Sequence, residues 1–170
     1  MTTPSTRPGP RNDITDVPGL KIGQAEDVRI ATGVTVILPD RSAICACDVR
    51  GGGPGTRETD LLDPSTLVTR ADAIVLSGGS SYGLAAADGV AAWLGSQRRG
   101  FALVRSPGVP PSPIVPAAIL YDLANGGAKD WGEEPPYRRL GFDACEAATG
   151  GPVKLGRAGA GFGARAGGTR

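Results

Sequence analysis

Glycine sets the limits on what this chain can become. Twenty-seven glycines and 15 prolines fall among 170 residues, about a quarter of the chain and close to the level at which low-complexity sequences stop packing. Their placement argues for order. They separate compact apolar runs such as Val34-Thr35-Val36-Ile37-Leu38 and Ala73-Ile74-Val75-Leu76, which is how tight turns bound short strands. With 40% apolar and 21% charged residues, the length suffices for one domain with a sizeable core. Residues 1–12, rich in Pro, Thr and Arg, have too little apolar surface to offset the entropy of ordering and read as a disordered tail ahead of a single domain over 13–170.

Within that domain the apolar pattern predicts a short segment at Leu20–Gly23 and a strand at Thr32–Leu38. After a turn at Pro39-Asp40, a second strand over Ser42–Val49 would complete a hairpin. Ala73–Leu76 reads as a buried strand running into Ser77-Gly78-Gly79-Ser80-Ser81-Tyr82-Gly83, after which Leu84, Ala87, Ala91 and Leu94 recur at helical spacing. A strand, a Gly-Gly turn and a helix follow, with Ser80 or Ser81 as N-cap and Gly100 as the stop. The prolines between Pro107 and Pro113 exclude a central strand there, Ile114–Leu123 resumes an apolar run, and Tyr137–Ala148 reads as a second helix entered from Pro135-Pro136. The small-residue stretch Gly156–Gly168 reads as a closely packed strand or a frayed end.

Several chemistries are excluded at once. The chain has no histidine, so no Ser-His-Asp or Cys-His mechanism and no ordinary zinc site can be contained in it alone. Cys45, Cys47 and Cys145 lack metal-type spacing; Cys45 and Cys47 would share one face of the second hairpin strand, as buried free thiols. Eighteen basic against 17 acidic residues give a formal charge of +1, which points to neither nucleic acid nor an anionic membrane. The first residues have no apolar core of a secretory signal, and no apolar run approaches a membrane span of about 18 residues, so a cytoplasmic protein without metal or cofactor is expected.

The glycine-rich loop Gly51–Thr56 lacks the Lys-Ser/Thr of a phosphate loop, and neither glycine cluster has dinucleotide spacing. The segment Gly78–Leu84 is sharper. It sets Tyr82 and several backbone N–H groups at a helix N-terminus just after a strand, where a developing oxyanion is well stabilised. A phenol there can donate to an oxyanion without a charge to desolvate, or it can simply pack over the helix start; both readings stand at this point. Ser80 and Ser81 have no histidine to activate them as nucleophiles. Glu58, Asp60 and Asp88 are unpaired in sequence and read as solvated or capping carboxylates.

Three strings occur in one order: Gly51-Gly52-Gly53-Pro54-Gly55-Thr56-Arg57-Glu58-Thr59-Asp60-Leu61-Leu62, Leu76-Ser77-Gly78-Gly79-Ser80-Ser81-Tyr82-Gly83-Leu84, and Gly159-Ala160-Gly161-Phe162-Gly163-Ala164. Together they resemble the DmpA-like family of L-aminopeptidase/D-esterases, β-peptidyl aminopeptidases and nylon-oligomer hydrolases, over most of Asp13–Gly168. The resemblance implies an α+β fold, an αββα sandwich of the N-terminal-nucleophile-hydrolase-like type, of which this chain would hold the first half. It implies a precursor that cuts itself before a Ser or Thr whose freed amine then activates its own hydroxyl, which accounts for the missing histidine. It implies homo-oligomers acting on short peptides or amino-acid amides.

Carried over by motif, the oxyanion-assisting tyrosine falls on Tyr82, with Gly78, Gly79 and Ser81 as substrate-binding neighbours. No Asn or Gly followed by Ser or Thr in a suitable place supplies the nucleophile, and the oxyanion asparagine is expected beyond Arg170. A chain of this kind would be the α-subunit part, inactive without the C-terminal (β-subunit) segment. A lysine found near the second helix in some members has only Arg138 or Arg139 as counterpart, and arginine cannot accept a proton. A different class of reading makes the chain a non-catalytic domain that holds an anion or small molecule at the helix N-terminus beside Tyr82.

Overall fold

The two longest strands are built from the β-branched and apolar runs on either side of one tight turn. In the computed structural model, which describes residues 6–166, β1 (Leu20–Asp27) and β2 (Thr32–Pro39) pair antiparallel in a continuous register from Leu20–Pro39 to Asp27–Thr32. Asp27 closes the turn by accepting the Ile30 amide at 2.9 Å. The hairpin partner of β2 is therefore the segment before it, and the expected strand over Ser42–Val49 does not form. The reason is that both edges of β2 are taken, one by β1 and the other by β4 (Ile74–Ser77). The only backbone–backbone pairing of residues 42–49 among the described residues is that of Ala43 with Ala71. The cysteines consequently do not share a strand face: Cys45 is half-buried and Cys47 exposed, and only Cys145 is a buried thiol, pushed up to about 12 mainly by burial.

Two short strands complete the sheet, β3 (Thr56–Arg57) and β5 (Ala117–Ile119), in the order β1-β2-β4-β5-β3. β4 and β5 are parallel, so the chain must cross over between them. The crossover carries a 3₁₀ turn at Ser80–Ala85 and helix α1 (Ala86–Ser96), the strand–turn–helix unit legible in the sequence. Helix α2 (Tyr137–Glu146) lies beside α1. One sheet face, carrying Val34, Val36, Leu38, Val75 and Ala117, packs beneath Ala86, Ala87, Val90 and Leu94 of α1 and Tyr137, Leu140 and Ala144 of α2. The helices approach backbone to backbone: a Cβ on Gly89 would overlap the Arg138 carbonyl and one on Gly141 the Ala86 carbonyl, so glycine is needed at both contacts.

Residues 149–162 run from the free edge of β1 over the opposite sheet face. Ile22 exchanges backbone bonds with Thr149, Gln24 donates to the Lys154 carbonyl at 3.0 Å, and Glu26 and Thr35 accept the amides of Gly159 and Ala160 at 2.6 and 3.0 Å. The Gly156–Gly168 stretch thus forms no strand within the described residues. It makes a 3₁₀ turn at Gly159–Gly161 because its amides are bonded to side chains of the sheet rather than to a strand edge. Beyond this covering, Leu76 stays 40% exposed on that face. Two helices over one mixed sheet give an α+β fold, one helix layer and one sheet of an αββα arrangement.

The N-terminal segment is tied to the same crossing strap. Arg11 donates to the Thr15 and Gly150 carbonyls at 3.0 and 3.1 Å, and Asp13 accepts the Thr15 and Val153 amides at 2.9 and 2.8 Å. Those amides hold the Asp13 carboxyl below the usual carboxylate range. Among the described residues no helix is long and apolar enough to cross a membrane.

Candidate active site

The turn after β4 is shaped by what its glycines leave room for. Gly79 has φ +88 and Ser80 φ +53, two consecutive left-handed residues that swing the chain from the sheet to the helix layer; a non-glycine residue held there costs about 1–3 kcal/mol. A Cβ on Gly78 would overlap the Asp122 carboxylate and the Thr32 hydroxyl, and one on Gly79 the ring of Tyr137. Three of the turn's amides are committed inside the chain: Gly78 to the Gly33 carbonyl at 2.9 Å, Ser80 to the Leu120 carbonyl at 3.0 Å, and Gly79 to Asp122 Oδ1 at 2.7 Å. Neither Ser80 nor Ser81 caps a helix. Ser80 sits inside the turn with its amide already bonded, and α1 itself begins only at Ala86 without a side-chain cap.

Asp122 is the hub. It is 2% exposed and accepts the Thr32 hydroxyl at 2.6 Å besides the Gly79 amide, so one carboxylate links β2 to the turn. Arg57 of β3 pins the other end of the turn, donating to the Leu84 carbonyl at 3.3 Å and pairing with Asp88 at 2.7 Å. Gly163 lies against Asp122 and Asn125, where a Cβ would come within 2.7 Å of both. Two of the three sequence strings thereby meet at one buried carboxylate, through Gly78–Gly79 and Gly163, and the first string joins the far end of the same turn through Arg57.

Tyr82 projects from this turn, 49% exposed. Its ring meets Trp131 edge-on, with centroids 5.6 Å apart and planes at 71°, and Trp131 meets Tyr137 in the same way at 5.9 Å and 83°. Such edge-to-face pairs are favoured by the ring quadrupole. Exposed Ser81 stands beside Tyr82, whereas Gly78 and Gly79 are buried. Of the four residues expected at the site, two face outward and two form the turn beneath them.

Tyr137 is fully buried, and its hydroxyl has no hydrogen-bond partner among the described residues. Burial pushes this phenol up to about 12, with the Asp122 and Asp27 carboxylates adding to the rise and the Thr32 hydroxyl opposing it. An orphaned buried hydroxyl costs about 1–3 kcal/mol, so Tyr137→Phe is expected to raise the urea midpoint; a lowered midpoint would mean that the hydroxyl is bonded in solution. The raised pKa has a second consequence. The unfolded chain releases the proton near the ordinary value of 10.0 while the folded chain keeps it, so the contribution of this group to stability is constant below pH 10 and is lost between pH 10 and about 12. That alkaline loss should be smaller in Tyr137→Phe.

Beside the hub, Asn125 donates to the Ala31 and Gly163 carbonyls at 2.6 and 3.0 Å and accepts Lys129 Nζ at 3.0 Å. Lys129 also donates to the Ile30 carbonyl. This lysine lies in the loop before α2, whereas Arg139 is an exposed partner of Asp143 at 2.8 Å. Sequence reasoning did not single out Thr32, Asp122, Lys129, Trp131 or Tyr137. One signal was available: Asp122 is the lone charge in the apolar run Ile114–Leu123, and a carboxylate buried among apolar neighbours needs a specific partner.

Comparison with known proteins gives this arrangement a family. Residues 12–170 match peptidase family S58. The chain belongs to peptidase family S58. This S58 chain is 49% identical over 164 residues to an uncharacterized aminopeptidase of Mycobacterium tuberculosis, covering 92% of the chain and 45% of the relative. It is 36% identical over 155 residues to the 6-aminohexanoate-oligomer endohydrolase of Kocuria sp., covering 89% of the chain and 38% of that enzyme. Among solved structures, the L-aminopeptidase D-Ala-esterase/amidase of Ochrobactrum anthropi, described as a variant of the Ntn hydrolase fold, superposes with TM-score 0.71 at 20% identity over 94% of this chain and 46% of that one. A β-aminopeptidase of Burkholderia sp. gives TM-score 0.70 at 24% identity over 94% and 44%. The S58 chain shares their fold and spans somewhat under half the length of these relatives.

Proposed function

We propose that this chain is the oxyanion side of an autoprocessing aminopeptidase that releases N-terminal amino acids from short peptides, amides or esters. The observation that carries the reading is Tyr82, a half-exposed phenol fixed on a turn whose backbone is bonded to Asp122, in a chain of a peptidase family without histidine. In this reading the nucleophile is a Ser or Thr from sequence that the relatives have and this chain does not span. Its own freed amine takes the hydroxyl proton as oxygen attacks the carbonyl carbon, the Tyr82 hydroxyl donates to the oxyanion, and the proton passes to the departing amine. Water then hydrolyses the ester. Ser81 is the neighbour placed to bond substrate, while Gly78 and Gly79 shape the turn. A homo-oligomeric, cytoplasmic enzyme belongs to the same proposal.

The alternative of a stand-alone anion-binding domain is disfavoured by the committed amides of Gly78, Gly79 and Ser80 and by the carboxylate of Asp122 behind them. The test is an assay of the 170-residue chain and of a gene product extended to the relatives' length on amino-acid p-nitroanilides. Turnover by the extended protein alone, after self-cleavage into two chains, is the expected result. Turnover by the short chain, or none by either, overturns the proposal.

A further inference from the structure

Trp131 stands where the site meets solvent. Its indole spans from fully buried Tyr137 to half-exposed Tyr82, touching both edge-on. It is itself half-buried and its indole N–H makes no hydrogen bond among the described residues, in contrast to Trp93, which donates to Glu146. The loop that carries it is clamped to the β1–β2 turn on the N-terminal side of Trp131. Asp130 pairs with Arg29 at 2.7 Å, the Ala128 amide donates to the Arg29 carbonyl at 3.0 Å, and Lys129 donates to the Ile30 carbonyl and to Asn125. Gly127 leaves no room for a side chain against the Ile30 carbonyl. On the other side the Glu134 amide closes back on the Trp131 carbonyl at 3.1 Å. A large aromatic wall is thus held in place before any ligand arrives, and little ordering remains to oppose binding against it.

We propose that Trp131 is the specificity-determining residue of the site: it is the wall against which the side chain of the released amino acid packs, so that residues with aromatic or long apolar side chains are favoured over glycine and alanine. The inference rests on the aminopeptidase reading for its place beside the scissile bond. An indole face offers apolar area to a flat or unbranched side chain and little to a hydrogen atom or a methyl, and each methylene buried against such a surface is worth about tenfold in discrimination.

Two measurements separate the inference from the reading beneath it. In the extended protein, the ratio of kcat/KM for L-phenylalanine p-nitroanilide over glycine p-nitroanilide is expected to fall roughly ten- to a hundredfold in Trp131→Ala. Trp131→Phe should keep the ratio within about threefold, since the ring face is retained. An unchanged ratio in a turning-over Trp131→Ala enzyme overturns the inference and leaves the aminopeptidase reading standing. In the 170-residue chain, L-phenylalaninamide should quench indole emission at concentrations where glycinamide does not, and Trp131→Phe should lose that quench. Where Trp131→Ala does not fold, Trp131→Leu takes its place. Should the extended protein hydrolyse no amide at all, the aminopeptidase reading falls, and the quench decides whether Trp131 still forms an apolar wall: equal quenching by both amides, or none, overturns the inference.

Discussion

Asp122→Ala is expected to destabilise the chain by about 2–6 kcal/mol, the combined cost of the two buried polar groups that it orphans. The substitution leaves the Gly79 amide and the Thr32 hydroxyl unpaired in a buried place, and each orphan adds about 1–3 kcal/mol of desolvation. Asp122→Asn should be milder. Its carbonyl oxygen can still accept the Gly79 amide, and Thr32 can rotate its hydroxyl to accept from the new NH₂ group. Urea unfolding of the three chains gives the order wild type, Asn, Ala in falling midpoint. A loss below about 1 kcal/mol for alanine would mean that the carboxylate does not hold the turn.

The parts of this fold legible in the sequence are those whose signal is local. The strand, Gly-Gly turn and helix from Ile74 to Ser96 could be read because a short apolar run, two glycines and helical spacing follow one another without interruption. Tyr137–Glu146 was readable because Pro135-Pro136 marks its start and Leu140 and Ala144 fall on one face. Ser42–Val49 failed because strand propensity says nothing about which edges are free, and β2 had none to offer. The Gly156–Gly168 stretch failed for a related reason: its amides are satisfied by Glu26 and Thr35, residues more than a hundred positions away.

The site divides along the same line. The turn that carries Tyr82 was readable because the sequence spells out its passage from strand to helix. Asp122 and Thr32, 90 positions apart, come together only through sheet order, and nothing in either neighbourhood announces the other. Trp131 and Tyr137 join Tyr82 by the same route, through packing of the α2 entry loop over the turn. The left-handed Ser80 also lay outside a sequence reading, since serine there looks like a cap.

Tyr82→Phe carries the functional account. The substitution removes one oxygen and leaves the ring that packs against Trp131, so the fold and the urea midpoint should stay within about 0.5 kcal/mol of wild type, as for exposed changes generally. On the proposed reading it removes a donor aimed at charge that develops only in the transition state, and the loss of one such donor lowers kcat by about a hundredfold to a thousandfold. KM should change little, because the ground-state carbonyl oxygen carries only part of that charge. The direct measurement is kcat for an L-amino-acid p-nitroanilide with the extended, self-cleaved protein, wild type against Tyr82→Phe, at equal amounts of folded enzyme. A fall in kcat of that size with KM nearly unchanged is the predicted result; a phenylalanine enzyme that turns over as fast as wild type contradicts the placing of Tyr82 at the oxyanion.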